Sequence, residues 1–107
     1  MQFDKDLESP HKDLFLAARD LLLSYDGIIE TKKTRITTYG NKKGGICHLR
    51  TMPHGIDFGF LKGAKMEDKF GLLTGKGKAI RVLPQKELKE EAVRYYVEQA
   101  MALTAKK

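Results

Sequence analysis

Between Ile28 and Leu83 the chain loses helical spacing and is dominated by β-branched residues and glycines, whereas the segments on either side repeat their apolar residues at helical spacing. An alternating pattern does not settle into a helix, nor a helical pattern into a sheet, so these two changes of period constrain the fold more than any other feature. They predict an α+β fold of order α-β(4–5)-α, an antiparallel sheet with the N- and C-terminal helices packed on one face. The 107 residues suit one domain, 1–107, and a hydrophobic content of 41% suffices for a modest core.

The first helix is expected to begin at Ser9 as N-cap with Pro10 in the first helical position, and to end at Gly27. Leu14, Phe15, Ala18, Leu21, Leu22 and Tyr25 form its apolar stripe. Strands are predicted over 32–39, 45–51, 55–62 and 78–83, with Ile28–Thr31 a short extra candidate. Asn41-Lys42-Lys43-Gly44 reads as one hairpin turn and Met52-Pro53 as the next. With Met52 and Pro53 as a two-residue loop, Cys47 faces Phe58 and Leu49 faces Ile56, with Phe60 continuing that apolar side. The other side then carries Ile46, His48, Arg50, Gly55, Asp57 and Gly59. A lysine- and glycine-rich connection over 64–77, with a helical turn at Glu67–Phe70, leads to a closing strand that Pro84 ends. The last helix is expected from Lys86 to Leu103 with Leu88, Ala92, Tyr95, Tyr96, Ala100 and Leu103 inward, and Lys106 and Lys107 beside its negative end.

Charge is unevenly spread. Residues 1–30 hold seven acids and three bases, residues 31–81 hold twelve bases and three acids, and the net charge is +6. A basic middle attracts phosphate, nucleic acid or acidic partners, and also serves simply as a soluble surface. No apolar run reaches the ~18 residues a membrane span needs, and no signal peptide is apparent at Met1–Glu8. The single cysteine, Cys47, cannot form an internal disulfide, which points to a reducing, cytoplasmic setting.

The candidate sites are few. Gly75-Lys76-Gly77-Lys78 lacks the Ser/Thr and the following helix of a phosphate loop, so its glycines read first as turn residues. Cys47, His48, His54 and Asp57 are ligand-type residues, but their spacing matches no zinc pattern. His48 and Asp57 share the polar side of the hairpin and are expected to be cross-strand neighbours, the carboxylate raising the imidazole pKa. Gly55 and Gly59 leave bare backbone there beside Ile46, His48, Arg50 and Asp57, fit for the close approach of a terminal segment, a second subunit or a ligand, or for a bulge. No nucleophile stands beside a base and no carboxylate pair lies on neighbouring strands, so a non-enzymatic role is expected.

The stretch from Phe58 to Arg81, with Gly63-Ala64, Met66, Asp68, Gly71-Leu72-Leu73, Gly75-Lys76-Gly77-Lys78 and Arg81, resembles the signature of the YdhG-like family of small bacterial domains. That resemblance implies a frataxin-like fold and an iron-chaperone-like role. Frataxin-type iron binding uses acids on the first helix, here Asp13 and Asp20, although Lys5, Lys12 and Arg19 interleave with the acids of this segment. Two functions are therefore expected: a binding domain with an iron-handling role through Asp13 and Asp20, or a nucleic-acid or polyanion binder acting through His48, Arg50, Asp57, Lys76, Lys78 and Arg81 in the basic middle. No cofactor beyond iron is implied.

Overall fold

Each strand pairs antiparallel with the next in sequence, which gives a five-stranded meander in the order β1-β2-β3-β4-β5. The computed structural model describes residues 1–105. Its elements are α1 (Gln2–Leu7), α2 (Lys12–Leu23), β1 (Ile29–Lys32), β2 (Thr37–Asn41), β3 (Gly44–Met52), β4 (Gly55–Phe60), a 3₁₀ turn (Gly63–Lys65), β5 (Arg81–Gln85) and α3 (Glu90–Ala105). The α+β fold expected from the change of period is present, with a helix pair rather than a single helix before the sheet and one helix after it. No helix among the described residues is long and apolar enough to cross a membrane.

The three helices cover one face of the sheet. Tyr39, Cys47, Leu49, Ile56, Phe58, Phe60 and Leu83 are fully buried there with Phe15, Ala18 and Leu21 of α2 and Val93, Tyr96 and Val97 of α3. Phe58 and Phe60 stand two residues apart with nearly parallel rings, 6.2 Å between centroids, and Phe60 meets Tyr96 at 6.3 Å. The five hairpin residues expected to share a buried side do so, together with Ala18 and Leu21; Leu14 packs at the margin.

Several boundaries differ from expectation, each for a local reason. The N-terminal segment forms two helices, not one. Ser9 does not cap: its hydroxyl oxygen accepts from the His11 N–H at 3.0 Å, which closes a tight turn, so α2 starts only at Lys12. α2 stops at Leu23, with the Ser24 hydroxyl donating to the Leu21 carbonyl, and Gly27 takes its positive φ of 81° in the turn beyond. The expected strand 32–39 is broken by a turn in which the Lys33 N–H reaches the Ile36 carbonyl, and its halves belong to β1 and β2. The turn in the loop after β4 falls at Gly63–Lys65, not at Glu67–Phe70. Pro84 lies inside β5, opposite Asp57; β5 is an edge strand, which tolerates a residue without an N–H.

The β3–β4 register is shifted by two residues from the expected one. Pro53 and His54 form the loop, so Cys47 faces Phe60, Leu49 faces Phe58 and Thr51 faces Ile56. A shift of two preserves which side each residue occupies and changes only its partner. Ile46 is the exception: the β2–β3 pairing slips between Tyr39 and Gly40, and the extra residue, Ile46, turns into the core at 1% exposure.

At the C-terminus the Gln85 side-chain carbonyl accepts from the Lys89 N–H, and α3 begins at Glu90 rather than Lys86. Its buried residues are Ala92, Val93, Tyr96, Val97, Ala100 and Thr104; Leu88 precedes the helix, and Tyr95 and Leu103 lie at the edge of the stripe. Lys106 and Lys107 fall outside the described residues.

Two polar anchors tie the layers together. Asp6 is completely buried; its Oδ1 accepts from the Thr51 N–H at 3.0 Å, from the Thr51 hydroxyl at 2.7 Å and from Gln2 at 2.9 Å, fastening α1 to β3. Arg19 grips Glu30 through two nitrogens at 2.6 and 2.9 Å, and Tyr39 donates to the same carboxylate at 2.8 Å. Burial alone would raise the Glu30 pKa, but these two donors hold it below the usual carboxylate range; burial and the Glu30 bond push the Tyr39 hydroxyl far up.

Candidate functional site

The opposite face of the sheet carries no helix. Across its centre run Thr31, Thr38, His48, Gly59 and Val82, and next to them Arg50, Asp57 and Pro84. At the middle is a cleft of about 180 Å³ lined by Ile36, His48, Arg50, Asp57, Gly59, Ile80 and Val82. Strands hold its polar side chains, while Ile36 comes from the β1–β2 turn and Ile80 from the loop before β5. A larger hollow of about 420 Å³ lies between Asp26–Ile29 and Asn41–Lys43, but its walls are chiefly turns, which position side chains less firmly than strands do.

The two glycines grouped together by the sequence pattern have different jobs. Gly55 is buried with φ 147°, and a Cβ there would collide with the Gln85 carbonyl. It is clamped against β5 and offers no open surface. Gly59 faces His48, and a Cβ there would make ordinary contacts of 3.6–3.9 Å with the imidazole. The missing side chain at Gly59 therefore forms the floor of the cleft, with His48 Nδ1 beside it.

The expected His48–Asp57 pair is not formed. With the register shifted, Arg50 is the direct partner of Asp57 and Gly59 that of His48. Asp57 turns instead to His54, whose Nε2–H donates to Asp57 Oδ1 at 2.7 Å. The consequence for His48 is the reverse of the expected one. Burial, then the positive charges of Lys33 and Arg50, push its pKa below the ordinary 6.5. Neutral His48 is thus favoured in the free protein. Among the described residues no hydrogen bond or ion pair engages the side chain of His48 or Arg50, whereas neighbouring Thr51 and Asp57 find partners in Asp6 and His54.

Lys76, Lys78 and Arg81 do not line the cleft. Arg81 is structural: its Nε donates to the Gly77 carbonyl at 2.9 Å, and Thr74 bridges to Val82, so the 74–82 segment is a closed loop. Gly75 supplies the positive φ of 100° that the loop needs. Lys76 and Lys78 are exposed on this loop, whose Ile80 reaches the cleft wall. The rest of the Phe58–Arg81 signature is likewise accounted for by folding. Asp68 accepts from the amides of Leu72 and Leu73 and from the Tyr96 hydroxyl; burial works against these bonds, yet the Asp68 pKa stays below the ordinary carboxylate range. Gln99 holds the Glu67 backbone at both its N–H and its carbonyl. Met66 enters the core. These contacts staple the long connection to α3.

Asp13 and Asp20 are both exposed on α2, seven residues apart and so about 10 Å apart along the helix axis. Among the described residues no three His, Cys, Asp or Glu side chains gather as metal ligands. Cys47 is fully buried, and burial pushes its thiol up to about 12, so it carries no thiolate chemistry at neutral pH.

Sequence reasoning missed Lys33, Ile36 and Ile80 as neighbours of this cleft, and named His54 only as a ligand-type residue without pairing it to Asp57. Ile36 and Ile80 sit in turns, where neither helical nor strand period reveals a direction. The strands expected over 32–39 and 78–83 contained both residues, and each stands beside an arginine, Arg35 or Arg81. No protein-family model, no curated protein and no solved structure matches this chain, and nothing in those comparisons identifies a YdhG-like family.

Proposed function

We propose that the protein is a non-catalytic binding domain that takes the phosphate backbone of nucleic acid, without reading sequence, on the open face of its sheet. The observation that supports this reading is the electrostatics of that face. Lys33 and Arg50 bear on His48 with no carboxylate among the described residues paired to Arg50, and the one acid lining the cleft, Asp57, is engaged by His54. Lys76 and Lys78 are exposed on the 74–82 loop, whose Ile80 reaches the cleft wall. A flat face of this kind meets a polyanion through counterion release rather than through base edges. The strand aromatics that could stack bases, Phe58 and Phe60, are buried on the other side, so base-specific stacking is absent from the proposed mode.

The experiment is fluorescence anisotropy with a labelled oligothymidylate across a salt series. Binding should weaken steeply as salt rises, with a slope reduced by about one unit for each phosphate-contacting base replaced by alanine. Lys33→Ala with Arg50→Ala should flatten the slope, while Lys5→Ala with Lys12→Ala on the helical side should not. Salt-independent binding, or none, would overturn the reading. The iron-handling role implied by the family resemblance stays a separate proposal resting on Asp13 and Asp20. Calorimetry with Fe²⁺ tests it, and an unaltered heat of binding in Asp13→Asn with Asp20→Asn would remove it.

A further inference from the structure

We infer that the cleft is a phosphodiester subsite in which one phosphate rests on the Gly59 floor between the Arg50 guanidinium and the His48 imidazole, the imidazole taking up a proton as the phosphate binds. The inference deepens the proposed function and rests on it. Its geometry is specific. Gly59 lies directly across from His48, and the space a Cβ would fill is within 3.6 Å of Nδ1. Arg50 is two residues along the same strand and on the same side, its Cα about 7 Å from that of His48. A tetrahedral anion spans such a gap, accepting from the guanidinium on one side and from an imidazolium N–H on the other. Ile36, Ile80 and Val82 wall the space with apolar surface, which strengthens charge-assisted bonds made inside it. A volume of about 180 Å³ admits a phosphate and part of its sugar and leaves no room for a stacked base pair.

The groups around His48 decide the sign of the coupling. Lys33 reaches it from the β1–β2 turn and Arg50 from β3 itself, both positive; Thr38 is its neutral neighbour on β2; Asp57 on β4 is turned to His54; and β5 contributes only Val82, with Ile80 before it. In the free protein burial, and then the two cations, oppose protonation. A phosphate entering between Arg50 and His48 offsets the positive field and supplies an acceptor, so protonation of His48 and binding favour each other. Affinity therefore rises as pH falls from the pKa of bound His48 towards that of free His48, which lies below 6.5.

Oligothymidylate is a suitable probe because its phosphodiesters keep one charge over this range. Its affinity is measured at about pH 8 and about pH 5.5 at fixed salt, alongside NMR titration of the His48 imidazole with and without the probe. The wild type should bind about tenfold more tightly at the lower pH, and bound His48 should titrate higher than free His48. His48→Gln should abolish the pH dependence while keeping the salt dependence. Gly59→Val should fill the floor and weaken binding at both pH values. Asp57→Asn, which removes the cleft's carboxylate, should tighten it. Circular dichroism confirms that each variant is folded, and all of these positions lie on the uncovered face. If the oligonucleotide binds with a steep salt dependence but no pH dependence, and His48 titrates unchanged, the subsite is refuted and the polyanion reading stands. If no salt-dependent binding occurs, both fall.

Discussion

The same five strands build two faces that hold their side chains by different means. On the inner face Leu49, Phe58 and Leu83 align across three strands at 0% exposure, and three helices seal them. On the outer face, one residue along each strand, His48, Gly59 and Val82 align with no covering layer. Inner residues are fixed by apolar burial, which is non-directional and tolerates a change of neighbour. Outer residues are fixed by individual polar bonds, and where these are missing, as at His48 and Arg50, the side chain keeps an unspent capacity to bind something else. The contrast teaches that this sheet draws its stability from one side and, among the described residues, leaves the His48 and Arg50 side chains of the other without polar partners.

The largest effect should come from removing an inner aromatic. Phe58→Ala vacates the middle of the core and should cost about 3–5 kcal/mol in urea unfolding, a large share of the ~5–15 kcal/mol typical of a whole domain. Val82→Ala, one row away on the other face, should cost less than about 1 kcal/mol; equal losses at the two positions would erase the distinction. Next come the two glycines of β4. Gly55→Ala forces an alanine to positive φ and into the Gln85 carbonyl, and should cost about 1–3 kcal/mol or more. Gly59→Ala meets only ordinary contacts and should change stability by no more than about 0.5 kcal/mol. A Gly59 variant as unstable as the Gly55 variant would show that the cleft floor is a folding requirement.

A smaller loss, about 1 kcal/mol, is expected for Asp6→Ala. The mutation frees the Thr51 N–H and hydroxyl, yet also removes Asp6 Oδ2, a buried oxygen that finds no hydrogen-bond partner. Faster hydrogen exchange at the Thr51 amide would locate the effect at the α1–β3 contact.

The smallest effect is the pH dependence from His48. Its folded pKa lies below its unfolded one, so the unfolded chain binds more protons in the window between them. Stability contributed by the neutral imidazole is therefore complete above about 6.5 and declines as pH falls towards the lower, folded value. His48→Gln should remove this slope from a plot of unfolding midpoint against pH. A slope of the opposite sign would mean that a carboxylate, and not the two cations, governs the outer face.

Much of this architecture was legible in the residues alone, and the parts that were not have a common cause. Periodicity assigned Cys47, Leu49, Ile56, Phe58 and Phe60 to one side and His48, Arg50, Asp57 and Gly59 to the other, because alternation along a strand is a local property of the backbone. It could not assign partners: a two-residue shift leaves the alternation intact, so pairing Cys47 with Phe58 satisfied the pattern as well as the actual pairing with Phe60. The same blindness paired His48 with Asp57 and drew the wrong sign for the imidazole. Ile46 escaped because a bulge interrupts the alternation, and α1 because six residues are too few to establish a period. Ile36, Ile80 and Lys33 reach the cleft across turns whose directions are set only when the hairpins close. Away from the bulge at Ile46, the sequence by itself determined which residues lie on which side of the sheet, since that follows from backbone geometry one residue at a time. Tertiary structure alone decided which of them meet, because a meeting depends on register and turn geometry, where segments distant in the chain choose among alignments that bury the same residues.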